Sequence, residues 1–214
     1  NVSLAEGAIR RKNEAETMFW VIGRLLNLCQ KDKVMAKKMN IENPMQILWY
    51  RLIAQYLRLI ADWAEKTAEK AIALRKYSEV AGEVVGEDLL REIIEINERS
   101  YSVCHVAINS FFSGDMDLAN QAIEIYDEIQ KTEEQLQEAI CSHAYLHDKS
   151  FSVSKYFKGK GPLEPCIIAQ ISFVIQGARR IAELGSEIAE TAISKTLSKH
   201  TKICKEYPAN EMRS

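Results

Sequence analysis

Two quartets of polar residues are where this chain could do chemistry. Gln55, Arg58, Asp62 and Glu69 follow one another at steps of three, four and seven residues, and Gln176, Arg179, Glu183 and Glu190 repeat that spacing 121 residues later. Such steps return to one face of an α-helix, so each quartet forms a polar stripe. An arginine and an acid four apart can meet on a helix surface, although the arginine-first order is the weaker one. Two readings stay open. The pairs can be salt bridges that fix helix register. Alternatively an acid from each stripe can bind a cation or a partner.

Other chemistry is thinner. His143 and His147 are four apart, a spacing that can place two imidazoles on one metal, but no acid completes a zinc motif and the pair falls where a helix is ending. A di-iron carboxylate bundle needs Glu-x-x-His on two helices. The residues three before the four histidines are Ser102, Ile140, Ala144 and Leu197, which excludes it. There is no phosphate loop, dinucleotide glycine fingerprint or nucleophile elbow. Five cysteines, odd in number and without a C-x-x-C pair, read as small buried hydrophobes in a reducing compartment. No catalytic set is assembled, and the expectation is a protein that is not an enzyme.

The elements that position the quartets are written twice. Pro44–Ile72 and Pro165–Ile193 align without gaps and share ten of 29 positions, including Pro44 with Pro165, Gln55 with Gln176 and Arg58 with Arg179. Upstream, Ser3–Ile9 matches Asp117–Ile123 and Glu14 falls on Glu128, at an offset of 114 rather than 121. The second copy therefore carries extra residues between its two segments, most simply in a loop.

Around this frame the pattern is helical throughout, with no half-buried alternating strand. A first helix is expected from Leu4 to Cys29, with Ser3 as N-cap and Glu6 as its capping-box partner. Asn43 caps the next, Pro44 opens it at a position where the missing N–H costs nothing, and it runs to Tyr77. Its alanines at 61, 64, 68 and 71 form a small-residue face that a neighbouring helix can approach closely. After Gly82 and Gly86, a helix over Asp88–Phe112 places Leu90, Ile93/Ile94, Asn97, Tyr101, Cys104, Ile108 and Phe111 on one stripe. Asp117 caps the fourth helix, which runs to His143, and Pro165–His200 is the fifth. The fold class is all-α, an antiparallel bundle of long helices.

Composition fits an ordinary soluble globular domain: 214 residues, 47% hydrophobic and 27% charged. A net charge of −2 argues against binding nucleic acid by bulk electrostatics. The longest apolar run, Cys166–Ala178, is broken by two glutamines and is too short to cross a bilayer. Two connectors are rich in lysine. One holds Lys31, Lys33, Lys37 and Lys38, the other Lys149, Lys155, Lys158 and Lys160. They hold the same place in the two copies, so pseudo-symmetry is expected to put both at one end of the bundle. That rim would be simply solvated, or would meet an acidic partner surface or anionic lipid headgroups.

Arg58-Leu-Ile-Ala-Asp-Trp-Ala-Glu-Lys-Thr-Ala-Glu69 and Arg179-Arg-Ile-Ala-Glu-Leu-Gly-Ser-Glu-Ile-Ala-Glu190 resemble the twice-used helix of the PhoU family of phosphate-uptake regulators, and Phe111–Ile123 is similar to that family's junction between its fourth and fifth helices. The resemblance implies two three-helix bundles. Residues 1–80 would be the first repeat, lacking its first helix, and 81–214 the second. The counterpart of Asp88–Phe112 would lie ahead of Asn1 or come from another segment or chain, which leaves an apolar groove on the first repeat and invites self-association. The family's metal motif is an acid, three residues, then an acid. The resemblance implies divalent, iron or zinc ions as the metals, but here Arg58 and Arg179 stand at the leading position and only Asp62 and Glu183 match, so little or no tightly bound metal is expected.

The resemblance further implies a cytoplasmic regulator, peripheral at the inner face of the membrane. It would lower phosphate uptake or signalling by contact with a membrane phosphate transporter or its coupled sensor kinase. The alternatives are a PhoU-like module of a potassium-transport or DNA-binding protein, and a metal-binding helical bundle.

Overall fold

A computed structural model describes residues 2–75, 77, 85–143, 156–157 and 164–200. These residues hold six helices: α1 (Val2–Lys31), α2 (Lys33–Lys38), α3 (Pro44–Arg75), α4 (Glu87–Ser113), α5 (Met116–Cys141) and α6 (Pro165–His200). There is no sheet among them, only an isolated bridge between Val85 and Phe157. The protein is all-α, and no described helix is long and apolar enough to cross a membrane.

Local chemistry sets the boundaries. The Asn43 side chain accepts from the Met45 N–H, and Gln46 Oε1 reaches back to the Glu42 and Asn43 N–H groups, so the start of α3 is capped from both sides. The first lysine-rich connector contains a short helix of its own, capped by Asp32, whose carboxylate accepts from Val34 and Met35. Gly114 ends α4 at φ +77, a left-handed turn that glycine makes without strain, and its N–H donates to Ser110 O. Two expected caps are displaced. The first helix already includes Ser3, and Asp115, not Asp117, caps α5 by accepting from Asp117 and Leu118.

The long helices pack around α6, which touches α3, α4 and α5, while α1 packs on α3. Three contacts fix the direction of the α3–α6 pair: Tyr56 bonds Glu187, the Trp63 ring meets the Arg180 guanidinium, and the Lys70 ammonium meets the Phe173 ring. As one number rises the other falls, so the two repeat helices are antiparallel. The buried core runs along α6 from Ile167 and Ile171 through Ala178 and Ala182 to Ile188 and Ala192, against Val103, Ala107 and Phe111 of α4 and Ile129, Leu136 and Ile140 of α5. Removing these side chains from water is the main stabilising term.

Two expectations are corrected here. The antiparallel pairing places the N-termini of α3 and α6 at opposite ends of the bundle. The connector leading into α3 is therefore at one end, and the described borders of the other connector, Cys141 and Glu164, are at the other; the four lysines of that second connector lie outside the described residues. On α4 the core face is Leu89, Ile96, Ser100, Val103, Cys104, Ala107 and Phe111. Leu90, Ile94 and Tyr101 from the expected stripe point to solvent, with Ile94 59% and Tyr101 70% exposed.

Candidate interaction faces

The polar quartets sit between helices of the same sequence half. Arg58 bonds Asp62 at 2.9 Å, with its guanidinium 5.4 Å from the Phe19 ring centroid of α1. Arg179 bonds Glu183 at 3.1 Å and approaches Glu133 of α5 at 3.9 Å, and Arg180 also reaches Glu183, at 2.6 Å. Phe19 and Glu133 are equivalent under the offset of 114, as Arg58 and Arg179 are under 121. A second pair of contacts obeys the same two offsets. Gly23 lies against Arg51, and Gln137 donates to Ser172 O. The packing of α1 on α3 thus repeats as the packing of α5 on α6.

This geometry explains the charge on the seam. Each acid is neutralised by the arginine one turn before it. Lys12 is raised above its usual range by a hydrogen bond from its ammonium to Glu16 and by the charges of Glu16, Glu65 and Asp62. Its counterpart Tyr126 is raised by burial and then by Glu183. Asp62 serves the α1 side of α3 and Glu183 the α5 side of α6, so the structure does not bring the two acids together. No group of three metal-ligating side chains occurs among the described residues. Gln55 is half-buried, and Gln176, Glu69 and Glu190 are exposed. His143 stacks on Phe157 at 4.0 Å, and His147 lies outside the described residues.

The basic connector at residues 31–43 is a built corner. Lys31, Lys33, Lys37 and Lys38 are all exposed. With Gln30, Asn40, Glu42 and Asn43, the side chains of Lys33 and Lys37 line a cavity of about 720 Å³ whose floor is Cys29, Ile41 and Ile47. Leu26, Cys29, Ile41 and Ile47 form a small core of their own beneath it. Lys33 and Lys37 are one turn apart on α2 and present two cations side by side. Lys149, Lys155, Lys158 and Lys160 lie outside the described residues.

The third face lies where the resemblance led to the expectation of an apolar groove on the first repeat. On α6, Gly185 meets Val103 and Cys104 of α4, and Ala178, Ala182 and Ala189 along the same face are 0% exposed. Their counterparts on α3 are Leu57, Ala61, Ala64 and Ala68. Leu57 is 38% exposed and the alanines are only half-buried; among the described helices, only α1 and α6 pack extensively on α3. On α1, Met18 is 62% exposed and Leu25 half-buried along the same channel. Glu128 of α5 is bonded by Arg99 of α4, and its counterpart on α1 is Glu14. Among the described residues, the first half of the fold therefore carries an apolar channel where the second half carries α4. The alanine spacing signalled the helix-packing face and the resemblance the groove; the fold adds Met18 and Leu25 of α1 to its lining. Comparison with known proteins adds no relative: no family model, no curated protein and no solved structure matches this chain.

Proposed function

We propose that this chain is a PhoU-like regulator that catalyses no reaction and acts by protein–protein contact. Its partner class is a membrane phosphate transporter or the sensor kinase coupled to it, and it works at the cytoplasmic face of the membrane. The observation that carries the reading is the repetition of one α1–α3 packing unit as α5–α6, with an arginine–acid pair at the same register in each. A duplicated helical scaffold with its acids neutralised by its own arginines is suited to presenting surfaces. The surface assigned to the partner is the basic corner of Lys31, Lys33, Lys37 and Lys38, which complements acidic protein loops beside a membrane.

The experiment is affinity capture of the tagged chain from detergent-solubilised native membranes, with retained proteins identified by mass spectrometry. The expected result is recovery of a phosphate-transport ATPase or its sensor kinase, lost when Lys33→Glu and Lys37→Glu are combined. Recovery of potassium-transport subunits, or of DNA without membrane protein, overturns the phosphate assignment.

A further inference from the structure

The helices α1, α3, α6 and α5 form a layer, and α4 lies as a ridge over its second half. Because α3 and α6 are antiparallel neighbours, the approximate two-fold axis that exchanges them runs perpendicular to that layer. Such an axis keeps each face of the layer on its own side. The vacant channel over α1 and α3 and the ridge of α4 are therefore on the same side, one beside the other. The outer edge of the ridge is apolar: Leu90, Ile94, Tyr101 and Phe112 are each at least half exposed. A folded domain does not ordinarily leave an apolar ridge and an apolar channel of this size in water together.

We propose that this face is covered by a second copy of the chain, the α4 ridge of each protomer lying in the α1–α3 channel of the other. Two copies set face to face, turned about an axis parallel to the helices, bring both ridges over both channels at once. The contact is isologous and closes as a dimer. Charge favours it. α4 carries five acids against two arginines, whereas α1 carries five basic residues against three acids. The area is sufficient: the exposed parts of the ridge and channel side chains, counted on both protomers, come to on the order of 1,500 Å², within the range of stable specific interfaces. This inference does not depend on the phosphate reading. It uses a different face from the basic corner.

The test is mass measurement in solution by sedimentation equilibrium, with circular dichroism as the check on folding. The native chain is expected at twice its 24.4 kDa mass. Ile94→Glu on the ridge and Leu57→Lys in the channel are each expected to weaken the dimer at least about tenfold with helicity unchanged. An equimolar mixture of the two variants is expected to recover dimer, because their heterodimer keeps one native ridge-in-channel contact. A change that merely loosened the fold would not be rescued by mixing. A native chain that stays monomeric at about 100 μM, which corresponds to a binding free energy weaker than about −5.5 kcal/mol, leaves the channel to another segment or protein and overturns the proposal. A dimer indifferent to both substitutions overturns it equally.

Discussion

At Gly185 a β-carbon would sit 2.8 Å from Val103 Cγ1 and 3.1 Å from the Cys104 backbone nitrogen, so α4 and α6 approach there only because the side chain is absent. Gly185→Ala gains helix propensity yet must push two backbones apart. It is expected to lower stability by about 1–2 kcal/mol. At Gly7 the nearest atom to an added β-carbon is an arginine tip at 3.9 Å. Gly7→Ala is therefore expected to raise stability by about 0.5 kcal/mol. Denaturant midpoints for the two variants check both signs. Cys104, in the same contact, has its thiol pushed by burial from 9.0 up to about 12. The unfolded chain then loses this proton first, so stability falls as pH rises from 9 towards 12, by about 1.4 kcal/mol per unit from this group alone. In the native protein at pH 8, a thiol reagent is expected to label exposed Cys141 and spare Cys104 and Cys29 until unfolding.

Between elements, the two arginines of the seam are alike in sequence but not in partners. Arg179 links Glu183 to Glu133 of α5, both acids being largely shielded, whereas Arg58 has the Phe19 ring where Glu133 would be. Arg179→Gln leaves Glu133 without its cation and is expected to cost about 1–2 kcal/mol, against less than about 1 for Arg58→Gln. Equal losses in urea melts would contradict that asymmetry. The same elements show what could be read in the sequence. The repeat helices were legible because Asn43-Pro44 and Pro165 are start signals and the Arg–acid spacing recurs. The core stripe of α4 was not, because adjacent apolar pairs such as Leu89-Leu90 and Phe111-Phe112 allow two faces, and periodicity cannot choose between them. Nor did the duplication reveal that the described borders of the two connectors lie at opposite ends. Matching two segments says that they are equivalent but not that the operation relating them reverses direction.

The whole molecule is an uneven pair. Among the described residues, the second half holds α4, α5 and α6 packed on one another, and the first holds α1 packed on α3 with an apolar channel and the basic corner of α2. The unevenness follows from where apolar surface is covered. Ala178, Ala182 and Ala189 are sealed by α4, and Leu57, Ala61 and Ala68 are not. What was legible of the candidate site follows the same division. The seam residues and the first set of lysines could be named from spacing and composition, and a groove on the first repeat from the resemblance, but the α1 side of its lining needed the fold. If this scaffold regulates phosphate entry by contact, its effect must appear on transport itself. The most direct measurement is phosphate uptake by sealed membrane vesicles from the source cells, with increasing amounts of the 214-residue chain at the cytoplasmic face. The account predicts that uptake slows in proportion to the chain added, saturates, and recovers by at least half with the Lys33→Glu/Lys37→Glu variant. An uptake rate unchanged at saturating protein would contradict it.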